Sequence, residues 1–173
     1  DETGRWQRHY LSTSSDEFVP GAQPLAAYQR SLYTLAPDGE LLKFSASDLT
    51  APPSVWVSAA TYPELLAGAD LAIDGEIHVL LNDGRVLTFF RGNLTATRHA
   101  SLDVPWANPT RLAGGLDTNF LYVLDPAAEI GPTTGRIVRL DSAGSAVQIL
   151  PPYTAGTGTA ATQSHVLSQA RDF

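Results

Sequence analysis

Apolar residues along this chain fall in short runs that alternate with polar ones, are cut by turn-forming residues, and recur at a fixed spacing. Leu32-Tyr33-Thr34-Leu35-Ala36-Pro37-Asp38-Gly39 returns 45 residues later as Ile77-His78-Val79-Leu80-Leu81-Asn82-Asp83-Gly84. It returns again, 44 residues further on, as Leu121-Tyr122-Val123-Leu124-Asp125-Pro126. A period of two lets one face of an extended strand be buried, and Asp-Gly supplies the turn that sends the chain back. The pattern predicts strands over 31–36 and 40–44 around the turn at 37–39, then an outer strand over 54–57 after the loop at Pro52-Pro53. A second unit carries strands over 69–73, 76–81, 85–90 and 96–102, and a third over 110–113, 120–124, 136–141 and 146–150.

Four short strands in about 40 residues, repeated, are the signature of a β-propeller blade. The expected fold class is all-β: blades of four antiparallel strands, about three of them legible, in a partial propeller. The expected organisation is an irregular arm over 1–27, blades over about 28–63, 64–107 and 108–150, and a linker-like tail over 151–173. The stretch from Pro126 to Gly135 lengthens one turn of the third unit into a loop, and insertions of this kind map to one face of a repeat protein. Propellers close with about four to eight blades. Further polypeptide, partner chains, or strands hidden in 1–27 and 151–173 must therefore supply the remainder.

Composition narrows the function. With 43% hydrophobic residues in 173, the chain can bury a core. Its net charge is −7, and its 11 Lys and Arg residues are scattered, Lys43 being the single lysine. No basic face for nucleic acid is visible. The absence of Cys removes disulfides, thiolate-bound zinc and thiol catalysis. No apolar run approaches the roughly 20 residues of a membrane-spanning helix. The chain opens at Asp1 and holds no Met, which marks a processed product or a segment of a longer polypeptide. An extracytoplasmic place, or a membrane-associated one through a partner or further segment, is the expectation that follows.

No catalytic constellation is expected. His9, His78, His99 and His165 lack metal-ligand spacing, and there is no Gly-x-Ser-x-Gly elbow. Asp38, Asp74, Asp83 and Asp141 occupy turns, where a carboxylate bonds local backbone. Asn93-Leu94-Thr95 is a glycosylation sequon placed in a hairpin loop. The aromatics Trp56, Trp106 and Tyr153 are the binding candidates, together with Glu129 and Ile130 in the long loop. Trp106 has two readings: a plug in the gap between blades, or an interface anchor.

The stretch Asp70-Leu71-Ala72-Ile73-Asp74-Gly75-Glu76 through Gly84-Arg85-Val86-Leu87 resembles an NHL-type or six-bladed TolB-like propeller blade. So does Leu121-Tyr122-Val123-Leu124-Asp125-Pro126 followed by Gly135-Arg136-Ile137-Val138-Arg139-Leu140-Asp141. The resemblance covers about 28–150 and extends to propeller regions of Chloroflexi-type bacterial proteins attached to phosphatase-like modules. It implies a repeat domain that binds partners and brings no phosphatase motif with it. Sugar-lactonase-like propellers hold a divalent cation on the central axis through Glu, Asn and Asp. Asp70, Asn108 and Asp125 imitate that set loosely, and otherwise neither metal nor cofactor is implied. The expected function is a non-catalytic scaffold that binds protein, as an accessory subunit or part of a larger protein. The alternatives are a ligand-sensing propeller of a signalling protein and a metal-dependent lactonase-type hydrolase.

Overall fold

Runs with a period of two become strands only where a turn brings them into register, and here two kinds of turn do so. The computed structural model describes residues 24–45, 47–48, 51–116, 118–130, 133–141 and 145–148. Within them lie three four-stranded antiparallel sheets. The first holds β1 (Leu25–Tyr28), β2 (Ser31–Leu35), β3 (Leu41–Ser45) and β4 (Ser54–Val57). The second holds β5 (Gly68–Ile73), β6 (Ile77–Leu81), β7 (Val86–Phe90) and β8 (Asn93–Arg98). The third holds β9 (Arg111–Ala113), β10 (Leu121–Ile130), β11 (Thr133–Leu140) and β12 (Ala146–Gln148). Strands pair in chain order in every sheet, as in a propeller blade. The fold is all-β, three blades of a partial propeller, and among the described residues no helix is long and apolar enough to cross a membrane.

The Asp-Gly turns are built alike in the first two blades. Gly39 and Gly84 sit at φ +82° and +85°, a region open to glycine at little cost. Just before them, Asp38 and Asp83 each accept the backbone N–H two residues on, at 3.0 Å. The second kind of turn is legible in the sequence at Arg91-Gly92-Asn93, which closes the third strand of the second unit, but not at Gln29-Arg30. Gln29-Arg30 turns the chain between β1 and β2 with φ of 43° and 61°, and Arg91-Gly92 does so between β7 and β8 with φ of 52° and 80°. Two consecutive positive φ angles make the tight primed hairpin, whose usual marks are Asn-Gly or Asp-Gly. Gln29-Arg30 carries neither mark, so β1 was absorbed into the expected arm, although it is the innermost strand of the first blade.

Two further expectations are corrected. The fourth strand of the second blade is β8, Asn93–Arg98, not 96–102, because the two-residue turn restarts pairing at Phe90↔Asn93. The sequon Asn93-Leu94-Thr95 therefore lies on a strand, not in a loop, and Thr95 Oγ1 donates to the Thr88 carbonyl at 3.1 Å. Within the expected loop from Pro126 to Gly135, residues 126–130 and 133–135 are strand: β10 and β11 extend into it as a hairpin arm, pairing Glu129↔Thr134 and Ile130↔Thr133 beyond an irregularity that begins after Asp125.

The core lies between blades. Tyr33, Leu35, Leu41 and Val57 of the first blade meet Leu71, Ile77, Val79, Leu81, Leu87 and Phe89 of the second. The other face of the second blade gives Ala72, Leu80 and Val86 to Leu112, Leu121, Val123, Val138 and Leu140 of the third. The second blade is thus buried on both faces, which is why all five residues of β6 are buried. Each large apolar side chain removed from water in this way stabilises the stack by about 1.5–3 kcal/mol. The inner strands are also tied across the seam, where Asp70 Oδ2 accepts the Leu112 N–H at 2.8 Å.

Candidate functional site

The two ends of the blades differ in what their polar side chains do. At the end that carries the Gly39 and Gly84 turns, they hold the chain together. Arg136 and Asp125 are 1% and 0% exposed and form an ion pair at 2.9 Å. Arg136 also donates to the Val104 and Pro105 carbonyls at 2.6 and 2.7 Å. Asp125 accepts the Ala107 and Asn108 backbone N–H groups at 3.1 and 2.8 Å. The guanidinium lies 5.0 Å from the centre of the Trp106 ring, and that ring presses on Gly84 so closely that a Cβ there would overlap it. The residues between β8 and β9 are thereby clamped between the second and third blades.

The candidate cation ligands therefore have other work. Both carboxylate oxygens of Asp125 are taken by the clamp, Asn108 enters it through its backbone, and Asp70 bonds Leu71 and Leu112 N–H groups. Among the described residues no group of three His, Cys, Asp or Glu side chains is placed to hold a metal ion.

The opposite end opens into a cleft of about 730 Å³ at the seam of the second and third blades. The turn Asp74-Gly75-Glu76 forms one lip, and Gly115, Leu116, Thr118, Asn119 and Phe120, between β9 and β10, line the other. Tyr28 and Phe90 wall it from the side of the first blade, and Asp141 closes it beyond β11. His78 lies at its base, 2% exposed, with Nε2 at 2.9 Å from Asp74 Oδ1 and Nδ1 at 3.0 Å from Thr88 Oγ1. Arg98 Nη1 reaches the same Thr88 oxygen at 2.5 Å. An arginine only donates and a carboxylate only accepts, so Thr88 accepts from Arg98 and Asp74 accepts from Nε2–H of His78; in the neutral ring Nδ1 then accepts the Thr88 hydroxyl proton.

The order Asp, His, Thr is that of a nucleophile relay, but the geometry closes it. Thr88 is 1% exposed and faces His78 and Arg98, so its hydroxyl is not presented to the cleft. Both ring nitrogens of His78 are engaged, so the imidazole has no lone pair turned outward. What the cleft offers a visitor is shape, aromatic rings and charge.

A smaller slot of about 200 Å³ adjoins it at the seam of the first two blades, sharing Tyr28, Gly75 and Phe90. Trp56 lies here, inside β4, edge-on to Tyr33 at 6.0 Å and under Lys43 Nζ at 4.7 Å. The sequence candidates are thus dispersed. Trp56 lines the slot, while Trp106 fills the gap at the far end of the other seam. Glu129 is exposed on the hairpin arm, Ile130 ends β10, and Tyr153 falls outside the described residues. Sequence reasoning missed Arg98 and Thr88 of the cleft. The one signal was His78, a histidine where the other two repeats carry Tyr33 and Tyr122.

No family model and no curated protein matches the chain. Among solved structures, a chain in the S. cerevisiae assembly of a Dbp5 variant bound to Nup159, a Gle1 variant, IP6 and ADP is similar at 13% identity and a TM-score of 0.44. The match covers 72% of this chain and 35% of that one, so this chain spans about a third of its length. A likeness at that level bears on neither fold nor function.

Proposed function

We propose that this chain is a non-catalytic propeller segment that works by binding protein, as an accessory subunit or as part of a larger protein, with the cleft end as its docking face. The observation that carries the reading is the self-closed floor of the cleft: Asp74, His78, Thr88 and Arg98 bond one another, so the Asp-His-Thr relay turns neither its hydroxyl nor its imidazole toward the cavity. The NHL- or TolB-like kinship, a bacterial source, and an extracytoplasmic or membrane-associated setting belong to the same proposal and rest on the blade motif. Three blades fall short of a ring, which supports a role alongside further blades or a partner that completes it. A second reading, a small-molecule sensor, is favoured by the cleft volume of about 730 Å³, inside the usual range for ligand pockets.

Photo-crosslinking from the two ends tests the proposal. A photoreactive residue in place of Leu116, which is exposed on the cleft lip, is expected to trap one discrete protein in extract of the source cell. The same residue in place of the exposed Leu66, at the other end of the blades, is expected not to trap it. Equal labelling from both positions, or none from Leu116, would sink the docking face.

A further inference from the structure

Charge is sorted between the two adjoining cavities. The cleft is bordered by Asp74, Glu76 and Asp141 against the single arginine Arg98. The slot has no acidic residue in its lining at all, and its formal charges are Lys43 and Arg91. In a chain of net charge −7, an acid-free pocket with two cations stands apart from the surface around it. Its other walls are the rings of Tyr33, Trp56, Phe89 and Phe90.

Lys43 is placed there by the sheet. It is paired with Tyr33 on one side and Ser54 on the other, two residues along β3 from the fully buried Leu41. Alternation turns it to the same face as Leu41, toward the second blade. A lysine at a seam position holds its ammonium where the seam opens. Nζ lies 4.7 Å from the Trp56 ring centre and 5.7 Å from that of Tyr33. Among the described residues neither Lys43 nor Arg91 forms an ion pair. The ammonium is thus partly stripped of water, oriented by two aromatic rings and, among the described residues, without a counter-charge.

We infer that the slot is the subsite for an acidic side chain of the docked segment, with the carboxylate on Lys43 and Arg91 and the carbon stem against Trp56 and Phe90. This rests on the reading of the cleft end as a docking face for protein. Charge complementarity selects the occupant: a carboxylate removes the unpaired charge, whereas a basic side chain meets two like charges. The net charge of the whole chain argues for the opposite preference. At physiological salt, however, charges beyond about 8 Å are largely screened, so the slot cations decide.

The experiment is a selection of random octapeptides displayed on phage against the full chain at physiological salt, run in parallel on wild type, K43R and K43E. The expected result is enrichment of peptides with Asp or Glu at one shared position, retained by K43R. K43E is expected to bind those peptides at least tenfold more weakly, a factor of ten being about 1.4 kcal/mol, and to select basic residues at that position. Enriched peptides without an acidic preference, or one unaltered in K43E, would overturn the subsite while leaving the docking face standing. No enrichment by the wild type would overturn both.

Discussion

The seam between the first and second blades and the seam between the second and third solve the same problem with different chemistry. The buried cluster of the first is aliphatic and aromatic, with no buried ion pair among the described residues, and its connecting segment supplies its own order through the 3₁₀ turn Pro63–Ala67, whose Leu65 is 1% exposed and plugs the seam. The second has a comparable apolar centre, but the segment from 99 to 110 has no regular structure, so its backbone groups need partners from elsewhere. The Asp125–Arg136 pair supplies them, binding two carbonyls and two N–H groups of that segment. By repeat position Asp125 stands where the second blade has Leu81 and the first has Ala36, and Arg136 where they have Arg85 and Glu40. One blade position is therefore apolar or ionic according to what the neighbouring connector leaves unbonded.

The comparison is broken most sharply at the ionic seam. Asp125→Ala leaves the Arg136 charge buried and two N–H groups unpaired, and is expected to lower unfolding stability by about 3–5 kcal/mol in urea denaturation. The double variant Asp125→Leu with Arg136→Met is expected to lose less than the two single variants combined, because no buried charge is stranded. A cost equal to the sum would mean the pair acts through packing alone. At the apolar seam, Leu41→Ala is expected to cost about 2–4 kcal/mol by the same measurement, the transfer and cavity cost of a core leucine. A loss under 1 kcal/mol would mean the first seam is not the close-packed one described here.

The smallest expected effect tests a turn that belongs to neither seam. Burial is the largest single influence on the Asp83 carboxyl and raises it, but the Arg85 backbone N–H, the bond to its guanidinium and the charges of Arg85 and His99 together outweigh it and hold the group below its usual 3.8. A lowered folded pKa stabilises above the unfolded value and is lost as pH falls through the folded one. Asp83→Asn is therefore expected to cost a few tenths of a kcal/mol near pH 7, as for exposed pairs. The difference from wild type should shrink as pH falls below 3.8 and vanish in melts acidic enough to protonate Asp83 in the folded chain. A difference that persists there would assign the effect to the turn backbone and not to charge.

Much of the fold was legible because its signals are local. Strands β2 to β7 and β9 to β12 follow from alternating runs and from glycines that tolerate positive φ, although β10 and β11 run further than the pattern indicated. Strand β1 was not legible, since Gln29-Arg30 adopts a turn that its composition does not announce. The hairpin arm formed by 126–130 and 133–135 was not legible either, because the stretch stands where the second unit has the tight turn Asn82-Asp83-Gly84 and so reads as a lengthened loop, while pairing resumes beyond Asp125. For the site, Trp56 was visible as an aromatic candidate, but its partner Lys43 passed as one scattered cation among 11.

By itself the sequence determined the all-β class, the blade period and the Asp-Gly turns, because these depend on residues within a few positions of one another. Tertiary structure alone decided that Asp125 pairs with Arg136 and binds the backbone of the segment before β9. It alone decided that Asp74, His78, Thr88 and Arg98 close on one another, and that Lys43 and Arg91 share a slot 48 positions apart in the chain. The physical reason is that a charge takes its role from its nearest partner, and stacked sheets choose that partner from other blades and turns.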